Sequence, residues 1–220
     1  MKADWNTFWV KVVDATGETV YMVLVTLALS AVLGMVVGLA LYATRKGGVL
    51  QNRVVFAVLN ALINVVRPVP FIIAIVALSP VTRSVVGTMI GTDAAVFPMV
   101  VVATFGVARI VESNLLSVEP GVVEAARAMG ASPLRIVLTV LVPEALGPLI
   151  LGFTFMLVAL IDFSAVAGTV GGGGVGNLAM TYGYLRFDTS VMVVAVAVLV
   201  VLVQLAQLLG NLLARKVLRR

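Results

Sequence analysis

The sequence predicts an all-α, polytopic membrane protein with five transmembrane helices, its N-terminus outside and its C-terminus cytoplasmic. Of its 220 residues, 61% are hydrophobic and 11% charged, with a mean hydropathy of +1.16. A soluble domain is about half apolar and about a quarter charged. The apolar residues are grouped: 19–44, 94–108, 145–161 and 189–214 run without a charge for 26, 15, 17 and 26 positions. A membrane helix needs roughly 20 such residues to cross roughly 30 Å of hydrocarbon. The connections are too short for a second domain, so 1–220 reads as a single transmembrane domain.

The elements follow in order. Trp5, Phe8, Trp9 and Val12 fall on one helical face, and tryptophan favours the membrane boundary, so 3–14 reads as a short interfacial helix. It lacks the basic start and short apolar region of a signal peptide. The first span is 19–43, where Gly34 and Gly38 make a small-xxx-small pair suited to close packing. Packing inside one bundle is preferred there to a dimer seam. The second apolar region, 54–81, is 28 residues long, about 42 Å as one helix and too long for an upright span. Pro68 and Pro70 remove backbone donors and bias the residues before them away from helix, which predicts a kinked or broken span. The third span is 94–112. A cytoplasmic connection over 120–143 reads as helix, turn, helix, with Pro120 near a start, Gly130 as a stop and Ser132-Pro133 as a cap followed by proline at the first helical position. The fourth span is 145–168, a glycine-rich loop fills 171–176, and the fifth span is 190–213.

Charge orients these spans. Arg45, Lys46, Arg53, Arg109, Arg127, Arg135, Arg215, Lys216, Arg219 and Arg220 fall on one side, against Lys2, Lys11, Arg83 and Arg186 on the other. The positive-inside bias places the larger set in the cytoplasm. The sequence pI of about 10.0 therefore reports orientation in a lipid bilayer, and no nucleic-acid partner is implied.

The chain has no Cys and no His. That excludes disulfides, thiolate or imidazole metal sites, and Cys–His or Ser–His nucleophiles; no catalytic, metal or cofactor site is predicted. Gly171, Gly173 and Gly176 form a formal G-x-G-x-x-G, but it follows a span rather than a strand, so a dinucleotide site is rejected. No Walker A sequence is present, so any driving nucleotide belongs to another subunit. Asp162, inside span four, and Arg67, beside the broken part of span two, are ionisable residues at membrane depth. They are candidates for a path or gate; the alternatives are a structural ion pair, one option being with each other, or snorkelling toward an interface. On the cytoplasmic connection, Ala125, Ala126, Ala128 and Gly130 make a thin face that a partner's groove could accept, with Glu124 and Arg127 as charged contacts. Leu134, Val137, Leu138 and Leu141 form an i, i+3, i+4, i+7 stripe suited to packing on the bundle. The segment suits a lever, docked at one end and pulling a span at the other.

Glu124-Ala125-Ala126, Gly130, then Val140, Val142 and Pro143, resemble the EAA loop of ABC importer permeases, whose pattern is EAA, three residues, G, nine residues, I-x-L-P; Val stands here for Ile at 140 and for Leu at 142. The stretches 63–73, 123–132 and 171–187 are similar to methionine-type importer permeases, of about this length and with five spans. Asp162 departs from the small uncharged residue more usual there before the aromatic-Ser-Ala equivalent of Phe163-Ser164-Ala165. The resemblance implies an ABC type I importer permease fold in a bacterial inner membrane. It implies import of methionine (D- and L-, with related amino acids) by alternating access. The partners it implies are a second copy, two cytoplasmic ATPase subunits holding ATP and Mg, and an extracytoplasmic methionine-binding lipoprotein. It assigns Glu124, Ala125, Ala126, Arg127, Ala128, Met129, Gly130, Ala131, Ser132 and Pro143 to ATPase coupling. Arg67, Pro68, Pro70, Asp162 and Ser164 are the candidate path or gate. The alternative is a stand-alone secondary transporter or channel using Asp162 and Arg67, for which a paired internal repeat would be expected and none is evident.

Overall fold

In the computed structural model, residues 5–218 are described, with side chains from Phe8 to Val217. The helices are α1 (Trp5–Thr44), α2 (Arg53–Val66), α3 (Phe71–Ala77), α4 (Ser79–Val86), α5 (Thr92–Leu116), α6 (Pro120–Ala128), α7 (Pro133–Ile136), α8 (Val142–Glu144), α9 (Leu146–Thr169), α10 (Gly174–Leu178) and α11 (Thr189–Leu218), with π-helical turns at Val137–Leu141 and Ala179–Tyr184. No strand occurs among the described residues. Four helices, α1, α5, α9 and α11, are long and apolar enough to cross a membrane, and the bent pair α2–α3 raises the number to five.

The expected interfacial helix at 3–14 and first span at 19–43 are one continuous helix of 40 residues. Nothing in residues 15–18 breaks it, and at 1.5 Å per residue it is about 60 Å long, twice the hydrocarbon thickness. Phe8 and Val12 are not at a lipid boundary but in a core with Ala15, Val175, Leu178, Val191 and Ala195, while Trp9 stays exposed. Residues 3 and 4, together with Lys2, Arg219 and Arg220, lie outside the described residues.

The break in span two is where the prolines place it. The Arg67 N–H still reaches the Ile63 carbonyl at 3.0 Å, closing α2. The Pro70 carbonyl then accepts from Ile73 and Ala74, starting α3. The chain bends by 105° between the two helices. A separate helix, α4, starts within the expected end of span two and runs beyond it; Pro80 lies in its first turn, and it stops at Gly87, whose φ is +87°. Asn52 starts α2 by accepting from the Val54 and Val55 N–H groups, both at 3.1 Å.

The chain forms two compact units. The first comprises Met1–Leu29, Val69–Ala103 and Leu157–Gln207, the second Ser30–Pro68, Thr104–Met156 and Leu208–Arg220. Within the second, the Gly34/Gly38 pair packs inside the chain, as preferred from sequence. A Cβ on Gly34 would lie 2.5 Å from Val107 Cβ, and one on Gly38 would lie 2.6 Å from the Ala108 carbonyl oxygen. Both glycines let α1 touch the backbone of α5, beside a core of Leu41, Ile63 and Ala108. Gly210 likewise lets α11 close on the Thr154 side chain of α9.

Gly38→Leu should therefore cost at least the 1–3 kcal/mol typical of overpacking. The thermal unfolding midpoint in detergent should fall, while Gly17→Ala, whose Cβ meets nothing within 4 Å, should leave it nearly unchanged. Equal midpoints in the two variants would remove the close-packing role.

Candidate functional site

The cytoplasmic connection begins at α6. Pro120 occupies its first turn, where a missing N–H costs nothing. Its C-terminus closes in a Schellman arrangement: the Gly130 N–H donates to the Arg127 carbonyl at 2.9 Å, and the Ala131 N–H to the Ala126 carbonyl at 3.1 Å. This requires φ of +77° at Gly130, a left-handed conformation that costs other residues about 1–2 kcal/mol. Gly130 is thus the expected stop, and for a backbone reason, since a Cβ there would meet no atom within 4 Å.

The outward row of α6 differs from the expected thin face. Ala126 is 3% exposed and packs inward, so it cannot meet a partner. Glu124, Ala125 and Ala128 are exposed, and Met129, at 81%, joins them. Arg127 is exposed but engaged: its guanidinium donates to the Gly47 carbonyl at 3.3 Å, tying α6 to the α1–α2 turn. Ala131 is half-buried and Ser132 and Pro143 are exposed. Ser132 occupies the N-cap position of α7 without a capping hydrogen bond from its side chain.

The expected stripe is also re-registered. Val137 and Leu141 are buried, but Leu134 and Leu138 are exposed, and Ile136 and Ala145 complete the inward face. The cause is the π-helical turn at Val137–Leu141, closed by the Val142 N–H on the Val137 carbonyl. Pro143 has no N–H and its ring would strike the carbonyl four residues earlier, so the helix widens ahead of it. An α-helical period does not hold through such a turn.

Within the same unit, α5 carries a polar network that sequence reading missed. Arg109 pairs with Glu112 through Nη1. Its Nη2 donates to Asn60 Oδ1 at 3.1 Å and Asn64 Oδ1 at 2.6 Å. Glu112 is only 5% exposed, so Arg109, itself partly exposed, is the counter-charge to a buried acid as well as one of the bases on the cytoplasmic side. The spacings Asn60/Asn64 and Arg109/Glu112, at i, i+4 and i, i+3, were visible signals. Arg67 and Arg109 line an open cavity of about 610 Å³ with Ser113, Asn114, Gly152 and Phe155. Arg67, Pro68 and Pro70 are all exposed.

In the first unit, Asp162 is exposed and lines a groove of about 290 Å³ between α9 and α11, with Gln204 as its other polar neighbour among apolar residues. Neither Asp162 nor Arg67 makes an ion pair among the described residues. Ser164 is fully buried and donates to the Ile161 carbonyl at 2.7 Å, spending its hydroxyl on its own helix rather than on a path. Phe163 stacks on Phe71 at 4.5 Å.

The glycine-rich loop is closed to phosphate by the chain itself. Gly171, Gly173 and Gly174 all have positive φ. The N-terminus of α10 is filled by α1: Glu18 Oε2 accepts from the Gly174 N–H at 2.6 Å, and Thr19 Oγ1 from the Val175 N–H at 2.9 Å. A Cβ on Gly176 would lie 2.1 Å from the Ala165 carbonyl oxygen. The glycines serve tight backbone packing.

Residues 30–219 match the family described as binding-protein-dependent transport system inner membrane component. This chain belongs to that family. Among relatives, a protein of Vibrio cholerae serotype O1 described as a probable D-methionine transport system permease protein MetI is 47% identical over 203 residues, 92% of this chain and 90% of that one. The methionine import system permease protein MetP of Bacillus subtilis is 40% identical over 200 residues, 91% of this chain and 90% of that one. A chain in an inward-facing structure of the MetNI methionine ABC transporter superposes with a TM-score of 0.94 at 40% identity, covering 98% of this chain and 99% of that one. The fold is that of an ABC type I importer permease, and the chain is an inner-membrane transport component. The alternative of a stand-alone secondary transporter or channel is set aside.

Two outcomes follow from the buried network of this family member. Arg109→Leu should cost about 3–5 kcal/mol by stranding Glu112, read as a lower unfolding midpoint and yield. Glu112→Gln, which removes the charge and keeps an acceptor, should cost less; the reverse order would remove the counter-charge role. Thr19→Val should cost about 1–3 kcal/mol by leaving the Val175 N–H buried without an acceptor, measurable by faster amide exchange in 174–178.

Proposed function

We propose that this chain is the transmembrane permease subunit of a bacterial ATP-driven importer that moves methionine into the cytoplasm. What carries the reading is similarity along nine-tenths of the chain to proteins described as methionine transport permeases, at 47% and 40% identity. Two copies would form the membrane domain with two ATPase subunits, which bind ATP and Mg, and an extracytoplasmic binding lipoprotein would deliver substrate. No covalent chemistry falls to the permease.

In this reading α6 is the coupling element, meeting the ATPase through Glu124, Ala125, Ala128 and Met129. The Schellman stop at Gly130 fixes the direction of the chain leaving α6, and buried Ile136, Val137 and Leu141 connect it to the start of α9. Arg127 ties α6 to the turn after α1. Movement of a docked ATPase would then reach two long helices at once. Each nucleotide state would favour the inward- or outward-facing arrangement through different contacts, which is alternating access. The break at Arg67–Pro70 and the groove at Asp162 are the proposed path-lining features. An acid at membrane depth is costly against lipid and belongs against water, substrate or protein.

The deciding experiment is uptake of labelled L-methionine by cells lacking their own methionine importers and expressing this chain with its neighbouring ATPase and binding protein. Uptake that needs all three proteins and is competed by D- and L-methionine is expected. Absence of uptake by an intact complex would discard the substrate. Glu124→Lys should weaken ATPase retention during purification by about tenfold, as a charge reversal at a contact does, with the unfolding midpoint unchanged. Unaltered retention and uptake would end the coupling assignment.

A further inference from the structure

Between Glu18 and Asp93 the chain has no acid for 74 residues, yet Arg45, Lys46, Arg53, Arg67 and Arg83 fall within that stretch. Three of these bases are gathered at the turn between α1 and α2, on the side that the basic excess assigns to the cytoplasm. There Thr44, Lys46, Gln51, Arg53 and Phe56 line an open cavity of about 440 Å³.

The turn is held by its own backbone. The Gly48 N–H donates to Arg45, the Leu50 N–H to Ala43 and the Asn52 N–H to Thr44, at 2.9, 3.0 and 2.9 Å. Gln51 Oε1 accepts from the Gly47 N–H at 2.9 Å, which leaves its amide NH₂ able to donate. Lys46 and Arg53 are exposed, and neither has a hydrogen bond or ion pair among the described residues. Arg45 stacks over Tyr42 at 4.3 Å, and its Nε is buried without an acceptor. The corner is thus a set of unspent cationic and polar donors on a fixed frame. Beside it, Leu50, Val54 and Val58 present exposed apolar side chains.

We propose that this corner binds the phosphate of an anionic phospholipid of the cytoplasmic leaflet. The headgroup sits with Lys46, Arg53 and Gln51, and the acyl chains run along Leu50, Val54 and Val58. Basic pockets at the cytoplasmic end of membrane helices suit such headgroups, and the adjoining apolar row favours a lipid over free phosphate. A lipid bound here would brace the turn that Arg127 holds, which would join bilayer composition to the position of α6.

The test is native mass spectrometry of the purified transporter complex titrated with phosphatidylglycerol or phosphatidylcholine. Phosphatidylglycerol should bind about thirtyfold more weakly to Lys46→Ala/Arg53→Ala, the loss of two basic residues at a membrane surface, with phosphatidylcholine unaffected. Lys46→Arg/Arg53→Lys should keep the affinity, and Arg215→Ala/Lys216→Ala should keep it as well. If the double alanine variant does not assemble, Lys46→Gln alone should weaken binding about fivefold. Unchanged phosphatidylglycerol binding in the alanine variants would overturn the site. Equal binding of both lipids would overturn it too, as would full displacement of phosphatidylglycerol by millimolar inorganic phosphate.

Discussion

In hydrocarbon no water is available to an unpaired backbone group, so each interruption of a helix has to be closed by the chain itself. The break in span two answers that constraint directly, and two interruptions outside the spans are closed by the chain in the same way. At the span-two break, α2 ends with the Arg67 N–H on Ile63 and α3 begins on the Pro70 carbonyl. Ahead of Pro143 the helix widens into a π turn closed by Val142 on Val137. At the glycine-rich loop the first N–H groups of α10 are taken by Glu18 and Thr19. The places where the helices depart from regularity include the break beside Arg67 and the lever before α9, both proposed above to bear on transport.

The same constraint sorts the polar side chains. Inside the second unit Arg109, Glu112, Asn60 and Asn64 satisfy one another. In the first unit Tyr21 donates to Asp93, and Lys11 and Arg186 both stand over the Tyr182 ring. Arg67, Asp162, Lys46 and Arg53 are among the charged residues whose side chains make no ion pair among the described residues. Unmatched charge in a membrane protein marks water, a ligand, a partner or a headgroup. The proposed path and the proposed lipid corner both rest on that distinction between spent and unspent donors and acceptors.

Much of the fold was legible in the sequence because hydrophobic length and proline chemistry act locally. Long charge-free runs marked α1, α5, α9 and α11, and Arg67-Pro68-Val69-Pro70 marked the break. Gly130 declared the stop of α6 through its positive φ. The site was less legible. The engagement of Arg127 depends on Gly47, 80 residues away in sequence. The register of Leu134 and Leu138 depends on a π turn whose cause, Pro143, lies several residues downstream.

What the sequence by itself determined is the long apolar helices, the break in span two and the side on which the basic residues gather, since each follows from composition and local backbone chemistry. Tertiary structure alone decided which residues spend their polar groups. Ser164 was a path candidate and is bonded to Ile161; Arg109 was one base among ten and pairs with Glu112; the start of α10 in the glycine-rich loop is capped by α1. The physical reason is that satisfaction of a donor or a charge belongs to a pair. A linear sequence names both members without saying which of them meet.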